Sequence, residues 1–141
     1  MSQRRPQPRV FVVDDEPLIA TSLSTILRHS GFDALAFTLP LEALKAAQTD
    51  APDLLISDLL MPQLSGVELA LEMQKLHPNC KVLLCSGQSS DRDLLSDAAA
   101  AGHEFEHMVK PVHPKDLLKR IHQVTGNSPS LPTVGELLAG L

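Results

Sequence analysis

The stretch Asp53-Leu54-Leu55-Ile56-Ser57-Asp58-Leu59-Leu60-Met61-Pro62 decides how the rest of the chain is read. An apolar run of strand length carries an aspartate at its carboxyl end, where open α/β sheets place their ligands, and Pro62 bars a helix from continuing it. An aspartate after a strand is more often a turn or cap residue than a working group. Asp58 therefore gains meaning only through partners elsewhere in the chain.

Toward the amino terminus, residues 33–37 read as a strand, and Thr38 and Pro40 mark the start of a short Ala-rich helix over 41–48. Before them, residues 9–13 form a β-branched run that ends in Asp14-Asp15-Glu16. Three adjacent acids repel one another unless a cation or a helix start compensates them. Pro17 suits the first turn of a helix, and Leu18, Ile19, Leu23, Ile26 and Leu27 repeat at helical spacing up to Gly31, which can stop it.

Toward the carboxyl terminus, Ser65-Gly66-Val67-Glu68 matches a capping box, and Val67, Leu69, Leu71, Met73 and Leu76 carry a helix that stops before Pro78. Residues 81–85 form the next strand, closing on Ser86-Gly87. Ser89 or Ser90 caps a thinly packed helix carried by Leu94, Leu95 and the alanines of 98–101, with Gly102 as its stop. A short strand over 107–109 ends in Lys110-Pro111, and residues 114–124 make a last helix with Leu117, Leu118, Ile121 and Val124 on one face, ended by Gly126.

Five strands alternating with five helices predict a parallel sheet covered on both faces, with right-handed crossovers and strands apolar throughout. In such a sheet every carboxyl strand end lies on one edge, which gathers Asp14, Asp15, Asp58, Ser86 and Lys110 into one site. Singly, each has a plain structural role as cap, turn hydroxyl or solvated strand end. Together those roles leave a repelling carboxylate cluster unexplained.

Composition narrows the function. A chain of 141 residues fits one domain that needs no metal or disulfide staple. With 17 acidic against 12 basic residues and a formal charge of −5, direct nucleic-acid binding is disfavoured. Arg4, Arg5 and Arg9 precede an apolar run far too short for a signal sequence or a membrane span, so a cytoplasmic protein is expected. Cys80 and Cys85 are too few for a disulfide framework and read as buried reduced thiols. His29, His77, His103, His107, His113 and His122 lack the spacing of a zinc site and read as surface or second-layer residues.

From Val10 to Val124 the chain resembles the receiver domain of bacterial two-component response regulators. The resemblance rests on Asp14-Asp15, Asp58 with Met61-Pro62 and Gly66, Ser86-Gly87, and Lys110-Pro111 in the right order at the right strand ends. It implies a flavodoxin-like α/β fold with strand order 2-1-3-4-5 and a phosphoacceptor function rather than an enzyme, with at most self-phosphorylation from small donors and self-dephosphorylation. Asp58 would become an aspartyl phosphate. Mg²⁺, a hard cation that prefers oxygen ligands, would be held by Asp15 and Asp58 directly, by Asp14 through water, and by the Leu60 backbone carbonyl. Lys110 and Ser86 would bind the phosphoryl oxygens. The implied partners are a histidine kinase or phosphotransfer protein and a downstream protein target, with a homodimer allowed.

Some positions depart from the family pattern. Where the family commonly has Tyr or Phe three residues before the lysine, this chain has His107, which with Ser86 forms the expected switch pair. Leu60 and Gln88 flank the phosphoryl position, where leucine cannot orient a water but glutamine can. A haloacid-dehalogenase-type phosphatase is the enzymatic alternative, but its second acid would fall at Leu60. A phosphorylation-independent interaction module is another, yet no pocket acid is missing. The expected divisions are a flexible start over 1–8, a receiver domain over 9–126, and a linker with a short amphipathic tail over 127–141, unless the chain is a piece of a longer regulator.

Overall fold

The computed structural model describes residues 7–87 and 92–125. The Ser89 or Ser90 cap, Gln88, the Gly126 stop and the segments 1–6 and 127–141 lie outside the described residues. The elements follow in strict alternation: β1 (Arg9–Val13), α1 (Pro17–His29), β2 (Asp33–Phe37), α2 (Pro40–Ala47), β3 (Leu54–Asp58), α3 (Gly66–Leu76), β4 (Lys81–Ser86), α4 (Arg92–Ala100), β5 (Glu106–Val109) and α5 (Pro114–Thr125). All strands are parallel in the order β2-β1-β3-β4-β5. The order reverses direction between β1 and β3, and Val13 pairs in register with Ser57. Asp14 and Asp58, the next residue on each strand, are therefore neighbours at the switch point, where such sheets open a crevice.

Period-two alternation sorts the strand side chains between two cores. Phe11, Val13, Leu55 and Leu84 face α2 and α3 and meet Ala43, Leu69, Ala70 and Met73. Val10, Val12, Ile56 and Leu83 face α1 and α5 and meet Leu23, Leu27, Leu117 and Ile121. Each fully buried aliphatic side chain contributes about 1.5–3 kcal/mol relative to exposure, so β1, β3 and β4, buried on both faces, carry most of the driving force.

The expected cover on both faces is incomplete at the two edge strands. Leu35 and Ala36 of β2 are exposed, as are Glu106, His107 and Val109 of β5. An edge strand has one neighbour, and over β5 the cover is thin as well. The Ala-rich α4 packs on α3, offers only Ala98 as a buried side chain among the described residues, and leaves Val109 66% exposed.

Helix ends are set by several devices. Ser65 and Glu68 complete the expected capping box at α3. Gly31 and Gly102, at φ +94° and +91°, terminate α1 and α4 in the left-handed region. Thr38 is not the cap of α2, because the N-cap position falls on Leu39 and no side chain caps it from there. Instead the Gln63 side-chain oxygen accepts from the Leu41 N–H at 3.2 Å. Among the described residues no helix is long and apolar enough to cross a membrane.

The amino edge of the sheet is tied by Arg9. Its Nε and Nη2 donate to Asp33 Oδ2 at 3.0 and 2.8 Å, and its Nη1 lies 3.1 Å from Asp50 Oδ2. Its backbone N–H donates to Asp53 Oδ2 at 2.7 Å. Burial works against the guanidinium charge, but the carboxylates outweigh it and raise its pKa. One side chain thus links β1, β2 and the α2–β3 connection. Replacing it by methionine keeps the stem and strands the carboxylates, so Arg9→Met should cost about 1–2 kcal/mol in urea unfolding at neutral pH.

Candidate functional site

At the opposite edge, Asp14, Asp15 and Asp58 converge. One carboxylate oxygen from each lies within 4.8 Å of the others. Like charges at that range repel by about 3–4 kcal/mol per pair at an effective dielectric of about 20. Lys110 supplies the compensation, with Nζ donating to Asp14 Oδ2 at 2.8 Å and lying 3.3 Å from Asp58 Oδ2. Three carboxylates and one ammonium still leave two negative charges. A hard divalent cation among these oxygens would neutralise them, and the all-oxygen donor set fits Mg²⁺.

The sequence places each group by local means. Asp14 is almost fully buried, 3% exposed. Its Oδ1 accepts the Glu16 N–H at 2.9 Å, at the point where Glu16 takes the N-cap position of α1 without a side-chain cap. Asp15 and Asp58 face outward, exposed and partly exposed respectively. Lys110 follows β5, and its N–H donates to the Ser86 carbonyl at 2.8 Å, locking the last residue of β4 to the start of the Lys110–Pro111 turn, whose peptide is cis.

Gly66 lets α3 close under the site. A Cβ there would collide with the Asp58 carbonyl oxygen and sit 3.0 Å from Leu59 Cα. The Gly66 N–H instead donates to Leu59 O at 2.8 Å, so any side chain at this position displaces the backbone that carries Asp58. Ser57, fully buried, donates to the Asp58 carbonyl at 2.9 Å from the other side. Gln63 holds the same loop with a left-handed φ of +74° and its bond to Leu41. Sequence reading missed both Ser57 and Gln63. A serine inside an apolar strand carried a weak signal, whereas a glutamine at positive φ carried none.

Charge and burial set the acidity of the cluster. Burial raises the Asp58 pKa, and Lys110 opposes that rise while Asp14 and Asp15 reinforce it. For Lys110 burial acts to lower the pKa, but Asp14 and Asp58 outweigh it and the ammonium is held more firmly. The pair rises together because Lys110 divides its attraction between Asp14 and Asp58, whereas Asp58 also meets two repelling carboxylates.

The remaining candidates fall as follows. Ser86 is buried at the carboxyl end of β4, on the same edge as the acids. The Leu60 side chain is 52% exposed beside the site. His107 lies apart, exposed on β5 opposite Leu84, in a groove with Val109, Asp116, Lys119 and Arg120. His29, His103 and His113 are exposed, and a ring nitrogen of His77 bonds the Ala47 carbonyl at 2.6 Å, consistent with the surface or second-layer reading. Cys80 and Cys85 are free and buried, their thiols pushed to about 12 mainly by burial.

A doubly wound sheet with an acid cluster and a lysine at its switch point defines a class of signalling domain in which a strand-end aspartate is the centre. The chain belongs to the response regulator receiver domain family, whose model matches residues 10–122. It is 26% identical to the chemotaxis protein CheY of Thermotoga maritima, over 83% of this chain and 97% of that protein. It is 32% identical to the transcriptional regulatory protein PrrA of Mycobacterium tuberculosis, over 92% of this chain and 58% of that one. Against the alkaline phosphatase synthesis regulator PhoP of Bacillus subtilis the chain spans about half of the relative, 49%. Among solved structures, a receiver domain from Clostridium thermocellum superposes with a TM-score of 0.75 at 29% identity, covering 84% of this chain and 94% of that one. CheY4 of Vibrio cholerae gives 0.73 at 30% identity, covering 84% and 98%.

The raised Asp58 pKa has a consequence for stability. A carboxyl whose folded pKa lies above its unfolded value binds protons more readily when folded, so stability falls as pH rises from the unfolded value near 3.8 through the folded one. Asp58→Asn removes that loss. In metal-free buffer the variant should gain on the wild type as pH rises from acid to neutral, followed by urea unfolding, and added Mg²⁺ should narrow the gap by stabilising the wild type.

Proposed function

We propose that Asp58 is the phosphoacceptor of this receiver domain and that Asp14, Asp15 and Lys110 make the transfer possible. The observation that carries this reading is the convergence of the three carboxylates within 4.8 Å, with Lys110 bridging Asp14 and Asp58. An isolated strand-end carboxylate would repel an incoming phosphoryl group. Here Lys110 presents a fixed positive charge 3.3 Å from the Asp58 oxygen, and the Ser86 hydroxyl is a donor on the same edge.

In the transfer, an Asp58 carboxylate oxygen forms a bond to phosphorus while the donor's N–P or O–P bond breaks, and the leaving group takes its proton from solvent. Mg²⁺ would be held by Asp15, Asp58 and the Leu60 carbonyl, with Asp14 through water, and supplies charge shielding between nucleophile and phosphoryl group. Lys110 is drawn toward the new phosphoryl oxygens, which relaxes its hold on Asp14. Leu60 offers no group to orient water, so the aspartyl phosphate loses a route to hydrolysis at that position. Small donors suffice for self-phosphorylation.

The donor in the cell is a histidine kinase or phosphotransfer protein in the cytoplasm, and the surface that meets it is the apolar side of α1. Leu18, 78% exposed, stands there beside Lys110 and Pro111. Output goes through protein contacts, with Ser86 and His107 as the switch pair. The exposed position of His107 in the β5–α5 groove supports an outward starting state for it. A phosphatase of the haloacid dehalogenase type would need a second acid where Leu60 stands.

Acetyl phosphate with intact-mass detection tests the reading. Wild type with Mg²⁺ should gain one phosphoryl group, the same protein with EDTA should gain almost none, and Asp58→Asn should gain none. Labelling of Asp58→Asn equal to wild type would falsify the assignment.

A further inference from the structure

Beside the acid site, α1 and the β5–α5 connection enclose an open groove of about 570 Å³, lined by Leu18, Ile19, Ser22, Ile26, Pro111 and Val112 among others. Among the described residues nothing covers it, and Leu18 is the most exposed large apolar side chain. A soluble surface seldom leaves such a strip bare without an occupant.

We propose that residues 134–141 of the same chain fold back onto this groove. Val134, Leu137, Leu138 and Leu141 fall at helical spacing, with Glu136 as the one charged residue among them. Two turns of helix are marginal in water, so this apolar stripe needs a surface. The tether permits it. α1 and α5 both run from the site edge of the sheet to the opposite edge and pack side by side, so the chain leaves α5 at the far end of α1. Thirteen residues of α1 span about 20 Å, and the eight residues 126–133 reach up to about 26 Å when extended. The other terminal segment outside the described residues, Met1-Ser2-Gln3-Arg4-Arg5-Pro6, is polar and basic and does not match an apolar groove.

A docked tail covers the surface assigned above to the phosphodonor, and a donor must then displace it. That consequence rests on the phosphoacceptor reading, whereas the docking itself does not.

The test uses the full chain with Gly140→Cys carrying a nitroxide. Cys80 and Cys85 escape the reagent, being buried with thiols pushed to about 12. Methyl spectra compare the oxidised and reduced label. Leu18, Ile19, Ile26 and Val112 should lose most of their intensity, while Leu41 and Leu76 on the other face of the sheet keep theirs. The same chain carrying Leu137→Asp and Leu138→Asp should recover the α1 signals with its other peaks unmoved. Absence of selective broadening, or its persistence in the doubly substituted chain, overturns the proposal. So does broadening that reappears between a tagged chain and an untagged isotope-labelled one, since the occupant is then a second copy. Acetyl phosphate labelling of the same samples reports separately on the phosphoacceptor reading.

Discussion

Asp14, Asp15 and Asp58 cannot share one edge of a sheet without a cation, and the fold is arranged so that one always stands there. Lys110 arrives from β5, far away in sequence, to bond Asp14 at 2.8 Å and approach Asp58 at 3.3 Å. The repulsion among three carboxylates at this range, several kcal/mol in sum, is comparable to the whole stability of a small domain. It is tolerated because β1, β3 and β4 are buried on both faces and fix the strand ends from which the acids project. The cluster is a charge imbalance that the core holds in place.

The two ends of the sheet show how the same interaction serves different purposes. At the amino edge Arg9 meets Asp33 and Asp50, and Asp53 takes its backbone N–H. That cluster closes a network of partly exposed groups whose effect is structural. At the carboxyl edge Lys110 meets the buried Asp14 and the half-buried Asp58, with the exposed Asp15 beside them, and the site keeps net negative charge. Only the second arrangement invites a metal and an anion.

The fold was legible because its signals were strong and mutually consistent. The apolar run ending at Asp58, the capping box at Ser65 and Glu68, and the glycines at 31 and 102 all mark boundaries that the structure reproduces within a residue or two. The convergence of the strand-end acids and Lys110 was legible because parallel topology alone sends them to one edge. Edge exposure was not legible. Nothing in the composition of 106–109 shows that α4 would lean on α3 and leave Val109 and His107 bare. The supports of the site were also hidden, since the bond from Gln63 to Leu41 joins residues 22 apart and the bond from Ser57 to the adjacent Asp58 carbonyl depends on a rotamer the sequence does not show. The helix entry marked by Thr38 and Pro40 was legible, but the acceptor for the Leu41 N–H, the Gln63 side chain 22 residues on, was not.

If Lys110 stands in for a metal among the acids, it must compete with one. The most direct measurement is Mg²⁺ affinity at neutral pH, by calorimetry, for wild type and Lys110→Met. Removing the ammonium from Asp14 and Asp58 frees oxygens and raises the negative charge, so the variant should bind Mg²⁺ more tightly than wild type. Equal or weaker binding in the variant, or no binding in either protein, would contradict the view that these three carboxylates and one lysine form a single charge-compensated site.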